Sequence, residues 1–426
     1  MNIKDLHALF SNCNSVSTDT RKVSNNDMFF ALKGDNFNGN TFTEQALENG
    51  AKYVVIDEVA YNISEQTILV NNVLETLQKL ASYHRLYLKV PIIALTGSNG
   101  KTTTKELINT TLAKKYNTTA TIGNLNNHIG VPLTLLSMTK KTEIGIVEMG
   151  ANHLKEIDFL CSIAKPDYGY ITNFGKAHLE GFGSIEGVVK GKTELYNYLK
   201  ANNKTIFVNA NDPKQIEQSK NARIVSFGNK KPNDVVINFL KAQPFVECEF
   251  DDLKIKSHLI GEYNFNNISA AICIANYFKV DSNTIKEAIE TYTPTNNRSQ
   301  IIIKHTNKII LDAYNANPTS MQAALQNFSD LNDSNKIVFL GDMFELGNET
   351  EKEHQELVDF ITKLNIDTII LIGENFYKTK SQSKKVKQFF SFEELKSHFK
   401  NIEMKDASLL IKGSRGMALE RILDLI

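Results

Sequence analysis

Short apolar runs of four or five residues, each closed by Gly, Asn or Asp, alternate along most of this chain with stretches of helical period. Ile92–Leu95 opens the series and leads through a glycine turn into a helix expected over Thr104 to Lys115. Ile144–Glu148, Tyr168–Thr172 and Ile206–Asn209 repeat the same apolar-then-turn pattern. Continuous apolar strands separated by helices predict a mostly parallel, doubly wound sheet with ligands at the carboxyl ends of its strands. Residues 233–258 read differently. Val246-Glu247-Cys248-Glu249-Phe250 alternates in polarity, which predicts a small antiparallel excursion.

Upstream, Met28–Leu32 and Tyr53–Ile56 read as strands and Val73 to Leu88 as a helix. Downstream, the turn-rich stretch Tyr292–Asn297 reads as a linker. It precedes further strands at Ile309–Asp312, Lys336–Leu340, Thr368–Ile372 and Leu409–Lys412. The expected fold class is α/β in three domains, with boundaries at 1–85, 86–296 and 297–426.

Composition narrows the function. At 426 residues the chain is too long for one core. Lys plus Arg equals Asp plus Glu at 48 each, so no basic surplus draws it to nucleic acid or anionic lipid. The four cysteines, Cys13, Cys161, Cys248 and Cys273, form no C-x-x-C pair and read as reduced thiols of a cytoplasmic protein. The first residues lack an apolar signal core, and no run reaches the roughly 18 apolar residues that span a bilayer.

The candidate chemistry begins at Thr96-Gly97-Ser98-Asn99-Gly100-Lys101-Thr102-Thr103. A strand, a tight glycine turn and a helix N-terminus make a phosphate cradle of backbone N–H groups. Lys101 can reach a terminal phosphate, and the Thr102 hydroxyl can hold Mg²⁺. The spacing G-x-x-G-K-T is two residues shorter than the usual P-loop, whose first glycine is Leu95 here. That argues against an ordinary GTPase, kinase or nucleic-acid motor.

A carboxylate at a neighbouring strand end suits Mg²⁺, which makes Glu148 a candidate, although a surface glutamate is the plainer reading of that residue alone. His178 lies just past the next strand end and reads equally as a ligand or a structural histidine. Lys192 reads as a solvated helix lysine, because an ammonium repels cations. Arg298, Asp312 and the segment Lys412-Gly413-Ser414-Arg415 place polar groups on the third block, where they could close over a nucleotide held by the second. Thr18–Arg21 and Lys33–Asn36 are turn-like polar clusters of the first block.

The whole chain resembles the Mur ligase superfamily. The resemblance rests on the short T-G-S-N-G-K-T loop together with Gly123–Thr134, Asp312–Pro318 and Gly341–Gly347. It implies an N-terminal α/β domain for a UDP-linked substrate, a central P-loop ATPase domain and a C-terminal Rossmann-like domain. The activity it implies is ATP-dependent amide ligation in peptidoglycan synthesis. ATP would phosphorylate the terminal carboxylate of UDP-N-acetylmuramoyl-tripeptide, and the amine of D-alanyl-D-alanine would displace phosphate. The resemblance gives catalytic roles to Lys101, Glu148, His178 and Lys192. Thr102 and Glu148 would hold one Mg²⁺, and Glu148 and His178 a second. Lys192 matches a lysine carbamylated by CO₂, which turns the ammonium into a carboxylate-like ligand.

By the same resemblance, ATP would be bound by Gly97, Ser98, Asn99, Gly100, Lys101, Thr102, Thr103, Asn267 at adenine, Arg298 and Asp312. The substrates would meet Thr20, Arg21, Lys33, Asp35, Asn36, Asn126, Asn127, Asn152, Asn315, Asn317, Lys412, Ser414 and Arg415. A cytoplasmic monomer is expected. Two other readings compete. One is a sibling ligase that adds a diamino acid to the UDP-linked dipeptide. The other is a non-catalytic nucleotide-binding homologue, whose signature would be loss of Lys101, Glu148, His178 or Lys192; all four are present.

Overall fold

The computed structural model describes residues 1–295, 297–399 and 404–426. The linker residue Asn296, at the expected second boundary, lies outside the described residues. Three α/β units follow one another along the chain. The first is built on four parallel strands in the order Val16–Ser17, Met28–Phe30, Tyr53–Ile56 and Thr67–Leu69. The helix Val73–Leu88 leaves it and runs unbroken past residue 85 to pack on the central unit's helices Gly130–Leu136 and Glu156–Ala164.

The central sheet has nine strands. Their order is Leu253–Lys256, Glu247–Phe250, Val235–Lys241, Arg223–Gly228, Thr205–Asn209, Tyr168–Ile171, Ile92–Thr96, Ile144–Glu148 and Thr118–Ala120. Seven are parallel; the expected antiparallel excursion is the edge pair that extends the same sheet. The chain winds one way from Ile92–Thr96 and then crosses back over it to Tyr168–Ile171. The carboxyl end of Ile92–Thr96 is therefore the switch point, where a doubly wound sheet opens a crevice. Every residue of that strand is buried because helices cover both faces.

The helix after the glycine turn spans Lys101–Leu112 and starts one turn earlier than expected. Leu107, Ile108 and Leu112 bury one face of it in the core with Ile93 and Leu95. The third unit carries the strand order Gln300–Lys304, Asn307–Asp312, Ser408–Lys412, Lys336–Gly341, Thr368–Ile372 and Val386–Phe389, parallel except for the first.

A buried histidine pair ties the first unit to the second. His7 Nε2 lies 2.9 Å from His84 Nδ1, and His84 Nε2 lies 2.9 Å from the Met138 carbonyl. A carbonyl only accepts, so His84 donates from Nε2 and accepts at Nδ1 from His7, with both rings neutral. Burial holds both rings below the usual histidine range, and a charge on His84 would push His7 lower still. The unfolded chain therefore takes up these protons first as pH falls below about 6.5. The contribution is intact above that pH and lost below it, at about 1.4 kcal/mol per pH unit for each proton. Urea unfolding between pH 7.5 and 5 is expected to show a steeper loss of stability in the wild type than in His84→Gln. Equal slopes would contradict this.

Candidate active site

The glycine turn is shaped by what it touches. Gly97 has φ +147°, and a Cβ there would stand 2.0 Å from the Thr172 hydroxyl oxygen. Gly100 has φ +78°, and a Cβ there would stand 2.6 Å from Asn267 Oδ1. Only glycine fits either position. The next strand end clamps the turn. Asn173 Oδ1 accepts from the Asn99 N–H at 3.0 Å, and Asn173 Nδ2 and the Thr172 hydroxyl both donate to the Asn99 carbonyl. Ser98 bonds both the carbonyl and the N–H of Gly175 through its hydroxyl. Lys101 Nζ curls back to donate to the Gly97 carbonyl at 2.7 Å, over the mouth of the turn. Its surroundings strip water from the ammonium and lower its pKa.

Glu148 is 1% exposed, not the surface residue its sequence position suggests. Its Oε2 accepts from the Thr102 hydroxyl at 2.9 Å and its Oε1 from Asn126 Nδ2 at 2.8 Å. Two cis ligands of an octahedral Mg²⁺ stand about 3 Å apart, so Thr102 and Glu148 already have suitable spacing. Among the described residues no three His, Cys, Asp or Glu side chains group closely enough to hold a metal. A cation here would therefore complete its shell with water and phosphate oxygens, as Mg²⁺ does.

Lys192 is the largest departure from the sequence reading. It is 0% exposed, and its Nζ donates to the Ala151 carbonyl at 2.9 Å and lies 5.0 Å from the Phe182 ring centre. Burial, with Lys101 adding to it, pushes its pKa far below the usual lysine range. A neutral amine, rather than an ammonium, is the form of lysine that reacts with CO₂.

One cavity of about 940 Å³ gathers most of the candidates. Its walls include Ser98, Asn99, Gly100, Lys101, Thr102, Thr103, Asn126, Asn127, Glu148, Asn152, His178 and Asn267 from the central unit. The third unit adds Arg298, Asp312, Asn315, Asn317 and Lys412. Asn267 is already engaged, accepting from Thr104 and donating to Asn264, which leaves one amide hydrogen for a ligand. Asp312 and Lys412 end neighbouring strands in register and pair at 2.5 Å. The Arg298 guanidinium stacks 3.7 Å from the Tyr314 ring centre.

The third unit reaches the glycine turn directly. Asn317 Nδ2 donates to Asn99 Oδ1 at 2.7 Å, and the Lys176 N–H donates to Thr319 Oγ1. Glu345 Oε2 meets His178 Nδ1 at 2.5 Å, and this partner holds the Glu345 carboxyl below its usual range. Glu345, Tyr314, Asn173 and Thr319 all line the cavity, and the sequence reading missed them as site residues. Each stands just past a strand end or beside a residue it did name, which is the signal that could have found them.

Several candidates lie away from these walls. Gly97 backs the turn from behind, and Lys192 sits beneath Ala151. Thr20 and Arg21 share a short helical turn capped by Asp19, which also pairs with Arg21. Lys33 pairs with Asp57 and Glu58, and Asp35 and Asn36 are exposed at the adjoining turn. Ser414 is buried and accepts from the Phe344 N–H, while Arg415 pairs with Glu420.

Known proteins match over the full length. Residues 12–85 match the Mur ligase family catalytic domain, residues 95–275 the Mur ligase middle domain, and residues 297–415 the Mur ligase glutamate ligase domain. The UDP-N-acetylmuramoyl-tripeptide–D-alanyl-D-alanine ligase of Bacillus subtilis is 36% identical, covering 96% of this chain and 93% of that one. The ligase of the same name from Escherichia coli is 30% identical, with 96% and 92% covered. The crystal structure of MurF from Acinetobacter baumannii superposes with a TM-score of 0.88 at 29% identity, covering 99% of this chain and 98% of that one. MurF from Thermotoga maritima, solved in complex with ADP, gives 0.84 at 28%, with 98% and 97% covered. With three matched domains in order and relatives similar over nearly every residue, the chain belongs to the Mur ligase family.

Proposed function

We propose that this chain is an ATP-dependent ligase that joins D-alanyl-D-alanine to UDP-N-acetylmuramoyl-tripeptide and so makes the pentapeptide precursor of peptidoglycan. The observation that carries this is the single cavity in which the phosphate loop, Glu148 and His178 face Arg298, Asp312, Asn317 and Lys412 of the third unit. The names of the full-length relatives and the ADP held by the Thermotoga structure support the same reading.

In this account the chain works as three domains, 1–85, 86–296 and 297–426, with the helix Val73–Leu88 shared by the first two. The first takes the UDP end of the substrate through Thr20, Arg21, Lys33, Asp35 and Asn36. The loops carrying Asn126, Asn127 and Asn152 guide the peptide toward the phosphate site. Asn315 and Lys412 line the cavity from the third unit, and they serve the substrates together with Ser414 and Arg415 in the loop that follows Lys412. The chain acts as a monomer in the cytoplasm, and no described helix is long and apolar enough to cross a membrane.

The tripeptide's terminal carboxylate oxygen attacks the γ-phosphorus of ATP, and ADP leaves. The amine of D-alanyl-D-alanine then attacks the acyl carbon, phosphate leaves with its electron pair, and the nitrogen gives up its proton. Lys101 stabilises the charge gathering on the phosphoryl oxygens, supported by the backbone N–H groups of the turn. Asn317 holds Asn99 so that the third unit stays over the bound nucleotide. Mg²⁺ held by Thr102 and Glu148, and a second ion by Glu148 and His178, would neutralise phosphate charge. Lys192 as a carbamate would supply a further anionic oxygen beside Ala151.

Phosphate release should be measured with UDP-N-acetylmuramoyl-tripeptide, with and without D-alanyl-D-alanine, alongside product masses. Release that depends on the dipeptide, with a pentapeptide product, is expected. Turnover instead with the UDP-dipeptide and a diamino acid would assign the sibling activity. No turnover with either pair would leave a nucleotide-binding protein.

A further inference from the structure

A second cavity, of about 420 Å³, opens at the opposite end of the central sheet. It lies where Ile92–Thr96, Tyr168–Ile171, Thr205–Asn209 and Arg223–Gly228 begin, whereas the nucleotide cavity lies where the parallel strands end. Four cationic side chains line it: Arg85 and Lys89 from the end of the connecting helix, and Lys204 and Arg223 from the sheet. Asp167 is the one carboxylate in the wall.

That carboxylate is already engaged by two of the four cations. Asp167 Oδ2 accepts from Arg85 Nη2 at 2.6 Å and from the Ile92 N–H at 3.1 Å, and Oδ1 accepts from Lys204 at 2.7 Å. Arg85 is buried and fixed further by the carbonyls of Ala164 and Lys165. Lys89 and Arg223 are exposed, and neither has a carboxylate partner among the described residues. Tyr168 and Tyr277, whose rings meet edge to face at 5.6 Å, complete the wall.

We propose that this cavity is a second anion site for a compact phosphate-bearing molecule, separate from the nucleotide cavity. Four cations against one spent carboxylate leave a positive concavity, and a partly enclosed site strengthens each charge-assisted bond over its value in open water. A guanidinium and an ammonium lining one cavity from two elements match a phosphate group better than a single surface lysine does. The volume suits a ligand no larger than a nucleoside monophosphate. Because Arg85 and Lys89 end the helix that leaves the first unit, the bound anion also fixes that junction.

The test is calorimetric titration of the full chain with pyrophosphate, in the presence of saturating ADP to block the phosphate loop. Citrate, run in parallel, separates phosphate recognition from charge alone. One saturable pyrophosphate site is expected to remain with ADP bound and to bind citrate more weakly. The Lys89→Ser/Arg223→Ser variant should weaken it about tenfold or more, with ADP affinity unchanged. Neither side chain carries a structural bond, so this variant is expected to fold. Absence of a site once ADP is bound, equal affinity for citrate, or binding unchanged in the variant would overturn the proposal.

Discussion

Lys192→Met is expected to lower kcat by about 100-fold or more while leaving thermal stability unchanged or raised. Methionine is unbranched and close to lysine in volume, so it fills the same buried slot. It also removes an amine whose burial costs free energy and whose one hydrogen-bond partner among the described residues is the Ala151 carbonyl. A lysine kept for packing would tolerate that exchange. A lysine that must react with CO₂ would not, because the thioether cannot form a carbamate. Loss of even an outer-shell support at a metal site costs about 10- to 100-fold. Lys192→Ala adds a second readout: it leaves a cavity in which acetate can place a carboxylate, and acetate is expected to restore part of the activity. Retained activity in the methionine variant would remove Lys192 from the chemistry.

Glu148→Gln is expected to lower kcat by about 10²- to 10³-fold and to raise the Mg²⁺ concentration needed for half-maximal rate. The amide keeps the shape; with its oxygen toward Asn126 Nδ2, its NH2 can donate to the Thr102 hydroxyl, so the fold is expected to survive. The negative charge that would attract the cation is gone. Steady-state rates over a Mg²⁺ titration check this. An unchanged Mg²⁺ requirement would show that Glu148 does not serve the metal.

These two residues also show how much could be read from the chain. The glycine turn was legible because its strand, glycines, lysine and helix start are contiguous in sequence. Glu148 was legible as a position but not as a buried group, because its partners Thr102 and Asn126 come from other segments. Lys192 was misread although its own helix carried the signal. In Ile185–Ala201 the buried side includes Val188, Gly191, Lys192, Leu195, Tyr196 and Leu199, so the lysine stands in the apolar stripe. Charge type outweighed register in that reading, and register was the better guide.

The third unit's approach to the glycine turn was visible only as a set of scattered loops. The contacts Asn99 to Asn317 and His178 to Glu345 join residues far apart in the chain, and no local pattern encodes them. The first-domain candidates Arg21 and Lys33 are paired with carboxylates of their own domain, away from the cavity walls.

The most direct test of the mechanism labels the terminal carboxylate of UDP-N-acetylmuramoyl-tripeptide with ¹⁸O and weighs the phosphate released during ligation. Transfer of the phosphoryl group to that carboxylate predicts a single labelled oxygen in the phosphate and loss of one label from the pentapeptide. Unlabelled phosphate released in step with the pentapeptide, with the displaced label found in water instead, would contradict an acyl phosphate and with it the role given to the cavity.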